Sequence, residues 1–387
     1  MSILAPKGFQ AAGSAIGIKG AGRLDAALVS TSVPVSAAGV FTKNKAPAAP
    51  VQISRQHLAS TQGAVRAVLL TSGNANAATG AVGLDAASTL CEQVAVALEC
   101  SADEVLLCQT GLIGIPFPLS EALGGLGQLT GDLEATPEAA HLAAEAIMTT
   151  DTFAKEVVVH GEGFVIGGMA KGAAMLAPDM ATMLAVLTTD AAIGPEALHE
   201  ALTTAVGPSF NSLIVDGATS TNDTVIILAS GAAGPVSSDA FSAALSSACL
   251  KLAEDMAMDA EGATKAVRVT VRGASDDDQA HRGARKVANS LLVKCSLNGE
   301  DPYWGRVLSE IATADIDFEP TSCSISYGGT VVAKGSEACE HDEGAVAAHM
   351  TERWISIEID LGLGQGTGAI LTTDLGYGYI DENRTTS

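Results

Sequence analysis

Residues 171–184, KGAAMLAPDMATML, decide how the chain is interpreted, and the bond between Ala181 and Thr182 is central to them. A threonine hydroxyl keeps its proton at neutral pH, so an enzyme that uses it as a nucleophile must place a base within hydrogen-bond reach. The threonine's own α-amine, which titrates near ~8, can be this base only after the preceding bond has been cut. The stretch therefore predicts either a self-cleaving enzyme with Thr182 as its nucleophile or a buried strand with an incidental threonine.

The residues before this bond suit a close approach of other backbone. Gly172, Ala173 and Ala174 are small, and Pro178 followed by Asp179 predicts a turn just before the candidate nucleophile. Ala-Thr pairs are nevertheless common, and no general principle makes one of them self-cleaving. On local sequence alone, the buried strand is the favoured interpretation.

A longer pattern changes this interpretation. Residues 171–184 resemble K-G-x-G-M-x-A-P-x-M-A-T-M-L, the cleavage segment of the glutamate N-acetyltransferase / ornithine acetyltransferase family, with Ala174 in place of one glycine. The resemblance implies that the chain cuts itself between Ala181 and Thr182, that Thr182 carries the acetyl group and that Lys171 lies in the substrate pocket. It also implies an α/β fold, with a layered α-β-β-α sandwich catalytic domain and a smaller C-terminal α+β domain.

The same resemblance sets the expected domain organisation. Residues 1–275 are expected to form the catalytic domain and residues 276–387 the C-terminal domain. The cut divides the whole chain into an α chain, residues 1–181, and a β chain, residues 182–387. A length of 387 residues has room for two or three domains.

Composition argues against several classes of partner. The formal net charge is −23, with 44 acidic residues against 21 Lys and Arg, so no basic patch for nucleic acid or an anionic membrane is expected. The mean hydropathy of +0.30 comes from dispersed alanine and valine, and no apolar run approaches the ~18 residues of a spanning helix. The N-terminus shows no signal-peptide pattern. The seven cysteines are scattered without CxxC spacing, which indicates reduced core thiols in a cytoplasmic protein rather than disulfides or zinc ligands.

Two predicted strand ends carry candidate polar groups. In VRAVLLTSGNANAATG, a buried strand runs into a loop at Gly73 and Asn74, which suits either a substrate carboxylate or a plain Asn-rich turn. In EVLLCQTGLIG, a second buried strand ends at Thr110 and Gly111. A T-G pair is by itself most often a turn. The family's S-T-G-x-I-G block implies instead that this hydroxyl and this amide form an oxyanion hole.

Three further blocks supply substrate contacts by resemblance. In MTTDTFAK, Thr149 matches a substrate-binding threonine, although a β-branched strand start is the simpler interpretation. In DAEGATK, Glu261 matches a substrate-contacting carboxylate, and a solvated helix cap is the alternative. In the tail YGYIDENRTTS, Asn383 matches a substrate-binding asparagine, and Ser387 corresponds to the family's terminal hydroxyl residue. Tyr303 replaces an asparagine in a block that resembles D-P-N-W-G-R, so the role of that loop is open.

Hydrophobic periodicity predicts the remaining elements. They are strands at residues 25–29 and 37–42, a hairpin turned at 161–163, a helix from Pro195 to about Val206, an amphipathic helix that aligns Phe241, Leu245, Leu252 and Met256, a half-buried strand with Val267, Val269 and Val271, a helical stretch at 276–297 and a strand at 354–361.

The sequence lacks the residues that are characteristic of several other enzyme classes. The seven histidines show no HExxH spacing and none lies beside a GxSxG elbow, which argues against a zinc hydrolase and a conventional serine esterase. Residues 362–368, GLGQGTG, lack both the P-loop lysine and the dinucleotide spacing, and they predict a hairpin turn. A related self-cleaving aminopeptidase or amidase and an uncleaved amino-acid-binding protein remain as alternatives.

The resemblance implies an acetyltransferase of arginine biosynthesis. It would move acetyl from N2-acetyl-L-ornithine to L-glutamate in a ping-pong reaction through acetyl-Thr182, without a metal or another cofactor. Acetyl-CoA is a candidate second donor. The expected partners are these small molecules and not nucleic acid or a membrane. A chain that must stay assembled after it is cut is expected to oligomerise in the cytoplasm, as an α2β2 heterotetramer.

Overall fold

The chain forms two compact units in a computed structural model that describes residues 2–20, 22–176 and 183–384. The described part of unit 1 comprises residues 2–20, 22–172, 183–210 and 219–252. The described part of unit 2 comprises residues 173–176, 211–218 and 253–384.

Unit 1 is built around an eight-stranded mixed β-sheet. Its strands are β1 (Phe9–Ser14), β2 (Ala26–Phe41), β3 (Ala64–Asn74), β4 (Val105–Leu112), β5 (Lys155–His160), β6 (Val165–Lys171), β7 (Leu184–Ala191) and β9 (Thr224–Gly234). Their order is β4-β3-β2-β9-β7-β6-β5, with β1 paired to β2. The pairs β3/β4 and β7/β9 are parallel and the other pairs are antiparallel.

Helices cover both faces of the β3 region of this sheet. The helices that begin in unit 1 are α1 (Ala49–Ser60), α2 (Gly80–Leu98), α3 (Leu119–Gly131), α4 (Pro137–Ala146), α5 (Pro195–Val206) and α6 (Ser238–Met258). Val68 and Leu70 share a buried cluster with α4, whereas Leu69 shares one with α2 and α3. Because successive side chains of a strand point to opposite faces, the buried run at residues 67–70 of β3 is apolar at every position.

One helix, α2, is long and apolar enough to cross a membrane by length and composition alone. A core helix passes the same test. Its Leu90 and Val94 are fully buried in the cluster that contains Leu69 and Leu107, which accounts for the apolar residues on that face.

Unit 2 is a smaller sheet with its own helices. Its strands are β8 (Leu213–Ile214), β10 (Ala266–Ala274), β11 (Ser324–Tyr327), β12 (Thr330–Lys334), β13 (Glu337–Ala338), β14 (Trp354–Asp360) and β15 (Gly366–Thr373), in the order β13-β12-β11-β14-β10-β15-β8. Its helices are α7 (Asp277–Ala288), α8 (Leu291–Asn298), α9 (Trp304–Ile311), α10 (Glu343–Thr351) and α11 (Tyr377–Asn383). Alternate residues of β10 and β14 are buried in one cluster with α7 and α9.

The predicted α/β class is confirmed, because each unit is a β-sheet with helices packed on it. The helix Pro195–Val206 and the hairpin of β5 and β6 occur as predicted. The four apolar residues aligned along α6 are all buried, and so are the three alternating valines of β10. The compact units have other bounds than the predicted domains 1–275 and 276–387, chiefly because β10 pairs within the unit 2 sheet.

Three local predictions differ from the structure. The predicted hairpin at residues 362–368 is wrong, because β14 and β15 lie on opposite sides of β10 and do not pair with each other. The glycines of this connection serve close packing, since a Cβ at Gly366 would collide with the backbone of Asp276. The runs at 25–29 and 37–42 belong to one long strand, β2, whose register against β3 shifts between Ser30 and Val35. Helix α1 was not predicted, and the helical stretch at 276–297 is two helices.

Candidate active site

The parallel strands β3 and β4 bring the two predicted loops to one edge of the unit 1 sheet. Gly73 pairs with Gly111, and Asn74 pairs with Leu112. Gly111 has a φ of +129°, in a region that favours glycine, and a Cβ there would collide with the Gly73 carbonyl carbon and the Asn74 nitrogen. Residue 111 is therefore restricted to glycine. It lies exposed at the strand end that was predicted to hold the oxyanion.

The Asn74 side chain fixes the loop that follows β3. Its Nδ2 donates to the carbonyls of Ile115 and Pro116 at 3.3 and 3.2 Å, and its Oδ1 accepts from the Asn76 N–H at 2.8 Å. Asn76 has a φ of +47°, a conformation that asparagine tolerates better than most residues. These contacts are those of an Asn-rich turn, and a substrate carboxylate at this loop stays a prediction.

Thr110 and Lys171, predicted in separate blocks, lie together in unit 1. The Lys171 Nζ donates to the Thr110 Oγ1 at 3.4 Å, and both residues are 3% exposed. An ammonium group only donates, so the Thr110 oxygen is the acceptor and its own hydrogen is left for another partner. The adjacent positive charge polarises that O–H bond. The arrangement suits donation to an oxygen that becomes negative during a reaction.

Asp151 connects Lys171 to the loop of Thr149. Its Oδ1 accepts from the Lys155 Nζ at 2.7 Å and from the Gly172 N–H at 2.9 Å, and its Oδ2 accepts from the Thr149 N–H at 3.0 Å. Burial by itself would raise the pKa of this carboxyl group. The positive charges of Lys171 and Lys155 outweigh burial and hold that pKa at about 2. Asp151 is therefore a buried carboxylate that fixes the geometry around Lys171.

Lys19 holds the same loop from another side. Its Nζ donates to the carbonyls of Leu24 and Met148 at 2.8 and 2.7 Å. Burial lowers the pKa of Lys19 to about 8, and the negative charge of Asp25 opposes the shift. Thr149 follows Met148 directly and is exposed, so the predicted substrate-binding threonine sits on a loop that the buried Asp151 and the half-buried Lys19 hold in place.

Glu261 and Asn383, also predicted in separate blocks, meet in unit 2. The Asn383 Nδ2 donates to the Glu261 Oε2 at 2.7 Å. Helix α11 reaches the junction between α6 and β10 because Gly262 has no side chain; a Cβ there would collide with the backbone of Gly378 and Tyr379. The two predicted substrate contacts therefore form one polar pair.

Residues 173–176 are anchored within unit 2. The Ala173 carbonyl accepts from the Glu261 N–H at 2.9 Å. Met175 has a φ of +56°, which is uncommon for a residue with a side chain, and its N–H donates to the Asp216 Oδ2 at 2.5 Å. The carboxylate thus holds an unfavourable backbone conformation six residues before Ala181, at the predicted cleavage site.

Three predicted site residues, Ala181, Thr182 and Ser387, lie outside the described part of the chain, and so does the turn predicted at Pro178 and Asp179. The described chain resumes at Met183, whose N–H donates to the Oδ1 of Asp223 at 3.0 Å. The next residue, Leu184, pairs with Lys171 across β7 and β6. Lys171 therefore lies beside the point where the chain returns from the predicted cleavage segment.

Sequence reasoning missed the buried aspartates of this site. Asp151 lies in the block MTTDTFAK, and Asp223 lies in residues 221–224, TNDT. The signal in each is an ionisable residue within a mostly apolar or β-branched stretch. Their partners are 21 to 40 residues away, at Gly172 and Met183, and periodicity carries no information on such pairs. Tyr303 is half exposed, and its ring lies 5.1 Å from the Arg306 guanidinium carbon.

Within residues 2–20, 22–176 and 183–384, no group of three or more His, Cys, Asp or Glu residues is placed to hold a metal ion. All seven cysteines are free thiols, but only four of them are buried as predicted, because Cys100 and Cys339 are partly exposed and Cys295 is exposed.

Comparison with known proteins identifies the family. The ArgJ family model matches residues 10–385. The arginine biosynthesis bifunctional protein ArgJ of Thermobifida fusca is 45% identical over 385 residues, which cover 99% of each chain. That of Mycolicibacterium paratuberculosis is 46% identical and covers 98% of this chain and 95% of its own. The crystal structure of ornithine acetyltransferase complexed with ornithine from Mycobacterium tuberculosis is 46% identical, with a TM-score of 0.44, and covers 46% of this chain and 94% of that one.

This full-length similarity favours the predicted resemblance over the alternative of a self-cleaving aminopeptidase or amidase. It rests on sequence identity along nearly the whole chain, so it includes the strands and loops of both units. The chain therefore belongs to the ArgJ family.

Proposed function

We propose that this chain is a glutamate N-acetyltransferase / ornithine acetyltransferase of arginine biosynthesis that works through a covalent acetyl-Thr182 intermediate. The observation that carries the proposal is the contact of Lys171 with Thr110 at 3.4 Å, at the sheet edge that holds Gly111. This contact brings the Lys171 ammonium group and the Thr110 hydroxyl together, next to the Gly111 amide in the sequence. Lys171 also pairs with Leu184, the first residue of β7, which follows Thr182 closely in the chain. This is the set of groups that acyl transfer to a threonine requires.

In the first half-reaction, the Thr182 Oγ attacks the acetyl carbon of N2-acetyl-L-ornithine. The freed α-amine of Thr182 takes the hydroxyl proton, and the Thr110 hydroxyl with the Gly111 N–H stabilises the oxyanion. The acetyl C–N bond then breaks, and ornithine leaves with the proton from the α-amine. Acetyl-Thr182 remains as an ester.

In the second half-reaction, the amine of L-glutamate attacks the same carbon. The ester C–O bond breaks, the attacking amine loses its proton through the Thr182 α-amine, and the Thr182 hydroxyl is restored. The acetyl group moves from one amine to another of similar basicity, so the transfer runs near equilibrium. The oxyanion groups serve both steps because the same carbonyl oxygen becomes negative in each.

Substrate recognition in this proposal uses complementary charges. Lys171 provides a positive charge for a substrate carboxylate, and Glu261 provides a negative charge for a substrate ammonium group. Asn383 orients Glu261 through the 2.7 Å hydrogen bond, and Thr149 presents its hydroxyl from a fixed loop. Ser387 is the fifth proposed contact, assigned from the family resemblance.

The proposal also covers the assembly and its setting. The enzyme needs no metal or other cofactor, and acetyl-CoA is a second donor for glutamate. The α and β chains form an α2β2 heterotetramer in the cytoplasm, with small-molecule substrates and without nucleic acid or membrane partners. The net charge of −23 is consistent with anionic partners being disfavoured.

Denaturing mass analysis with rapid acid quench tests the chemistry. The purified protein is expected as two fragments, residues 1–181 and 182–387, the second having 387 − 181 = 206 residues. Incubation with N-acetylornithine alone is expected to add one acetyl mass to the fragment that begins Thr-Met-Leu-Ala and to release a burst of ornithine. Thr182→Ala is the matched control and is expected to be uncut and inactive. An intact chain with full activity, or no acetylated fragment during turnover, would refute the proposal.

A further inference from the structure

Unit 2 contains a cavity of about 580 Å³ that is lined by the end of α7, the start of α8, the end of α9 and the residues that follow α9. Its lining includes none of the residues placed in the acetyl-transfer chemistry. The volume is typical of a site for a small molecule. Asn289, Leu291 and Thr313 contribute both hydrogen-bonding groups and apolar surface to its wall. The cavity therefore has the size and the mixed lining of a ligand site.

The cavity wall carries three positive charges from one face of α7. Arg282, Arg285 and Lys286 are spaced three and four residues apart, which places them side by side on the helix. Two carboxylates, Glu310 and Asp315, also line the cavity, so cations outnumber anions there. The whole chain has a net charge of −23. The cavity is therefore a local positive site on a protein that otherwise repels anions.

The carboxylates do not neutralise the two arginines. The Glu310 Oε2 lies 3.5 Å from the Lys286 Nζ, and the Glu310 Oε1 accepts from the Ser290 Oγ at 3.0 Å. Among the residues that the structure describes, neither Arg282 nor Arg285 forms an ion pair or a side-chain hydrogen bond, and the Arg285 Nε is buried without an acceptor. Buried N–H groups normally have an acceptor. Both guanidinium groups are therefore uncommitted to the protein and available to an anion.

The helix ends account for only part of this arrangement. Cations in the last turn of a helix offset its dipole, and Arg285 and Lys286 lie in the last turn of α7. Arg282 lies one turn earlier, where that interaction has faded. Helix α8 begins at the same cavity with Leu291, and its first turn contains no acidic side chain. The backbone N–H groups at a helix start favour an anion, so they add to the charge of the arginines.

We propose that this cavity binds a phosphate group, carried by a small organic molecule or free in solution, with Arg282 and Arg285 as its main ligands. Two guanidinium groups without protein partners match a dianion, and each can hold two oxygens of one phosphate through parallel N–H···O bonds. A phosphate monoester carries about −1.5 to −2 charge at pH 7 and three acceptor oxygens, more than one carboxylate offers. Asn289, Leu291 and Thr313 line the space that remains for the rest of an organic ligand.

Calorimetric titration of the full chain tests this site. The probes are inorganic phosphate, pyrophosphate and AMP, with the dicarboxylate succinate as the comparison anion at the same ionic strength. The variants Arg282→Gln and Arg285→Gln remove one charge each and keep a long polar side chain. Arg272→Gln is the matched control, because Arg272 is an exposed arginine of unit 2 that pairs with Glu358 and is not part of the cavity lining. The titration needs neither the cut nor turnover, so its result is independent of the proposed function.

At least one phosphate probe is expected to bind more tightly than succinate. Arg282→Gln and Arg285→Gln are each expected to weaken that binding by about tenfold or more, because each removes charge-assisted hydrogen bonds, whereas Arg272→Gln keeps the wild-type affinity. Tighter binding of AMP than of inorganic phosphate and pyrophosphate assigns the site to an organic phosphate, and the reverse order assigns it to a free anion. The inference is overturned if no phosphate probe binds at millimolar concentration, if succinate binds as tightly, or if all three variants have the same affinity.

A labelling measurement on the wild-type protein decides the case if a variant does not fold. Phenylglyoxal reacts with exposed guanidinium groups, and peptide mass analysis follows its addition at Arg282 and at Arg272, which are both exposed. The phosphate probe is expected to slow the labelling of Arg282 severalfold and to leave that of Arg272 unchanged. Labelling of Arg282 at the same rate with and without the probe overturns the inference.

Discussion

Replacing Asp151 by Asn tests whether the carboxylate beside Lys155 and Lys171 stabilises unit 1. In the folded protein the pKa of Asp151 is about 2, against an ordinary value of 3.8. At ~1.4 kcal/mol per pKa unit, this difference corresponds to about 2 kcal/mol of stability. The Asp151 side chain has 0% exposure, so solvent screening does not reduce the figure.

The pH at which this stabilisation is lost follows from the direction of the shift. The pKa is lower in the folded than in the unfolded chain, so the contribution is complete above about pH 4 and is lost as the pH falls through about 2. Asparagine removes the negative charge that both lysines face, and breaking a buried ion pair costs about 3–5 kcal/mol. We therefore expect Asp151→Asn to lower the free energy of unfolding by about 3 kcal/mol at pH 7. Its deficit relative to the wild type should shrink by about 2 kcal/mol between pH 5 and pH 2.

Urea unfolding followed by far-UV circular dichroism at several pH values measures this deficit. The Asp151→Asn protein and its reference protein both carry Thr182→Ala. If the proposed function is correct, this substitution prevents cleavage, so that each protein unfolds as a single polypeptide. Asp190→Asn is the control, because the two oxygens of Asp190 accept from the backbone N–H groups of Lys7 and Val165. A deficit of Asp151→Asn that is the same at pH 7 and pH 2 would refute the role of the lysine charges.

Three further predictions concern single contacts. Thr110→Val should lower kcat by about 10²–10³-fold while Thr110→Ser keeps most of it, because one oxyanion donor is worth that much; equal kcat values for the two variants would contradict this. Gly111→Ala should cost about 2 kcal/mol or more, read as a lower melting temperature, because its Cβ meets the Gly73 backbone; a wild-type melting temperature would be the contrary result. Asn383→Asp should raise KM several-fold more than Asn383→Ala at pH 8, since it puts a second carboxylate against Glu261; equal KM values would disprove that pairing.

Local patterns were sufficient where the contacts are local. Helix α5 begins at Pro195, where proline costs no hydrogen bond, and ends at Val206 as its apolar spacing predicts. Along α6, side chains three and four residues apart share one face, so Phe241 and Leu245 could be assigned to the core from the sequence. The same holds for the alternating valines of β10.

Pairing between distant residues could not be predicted in this way. The glycines at 362–368 were correctly taken as a tight connection, but nothing within them tells that β10 lies between the strands they join. At the site, the family motifs indicated Thr110 and Lys171 as separate blocks. Their contact, and the hydrogen bond from the Gly172 N–H next to the lysine to the Asp151 carboxylate, exist only once the sheet has brought the strand ends together.

The strand order of the unit 1 sheet has a consequence for how such an enzyme matures. Strands β1 to β6 precede residue 181, whereas β7 and β9 follow it, and in the order β4-β3-β2-β9-β7-β6-β5 the two later strands lie between β2 and β6. A cut at Ala181 would leave the second fragment hydrogen-bonded to the first along both edges of its two-stranded insert. Folding must therefore come before cutting, and a denatured mature enzyme would need to rebuild one sheet from two molecules. The lifetime of the mature enzyme is then set by its rate of unfolding rather than by a reversible folding equilibrium. Maturation therefore runs in one direction.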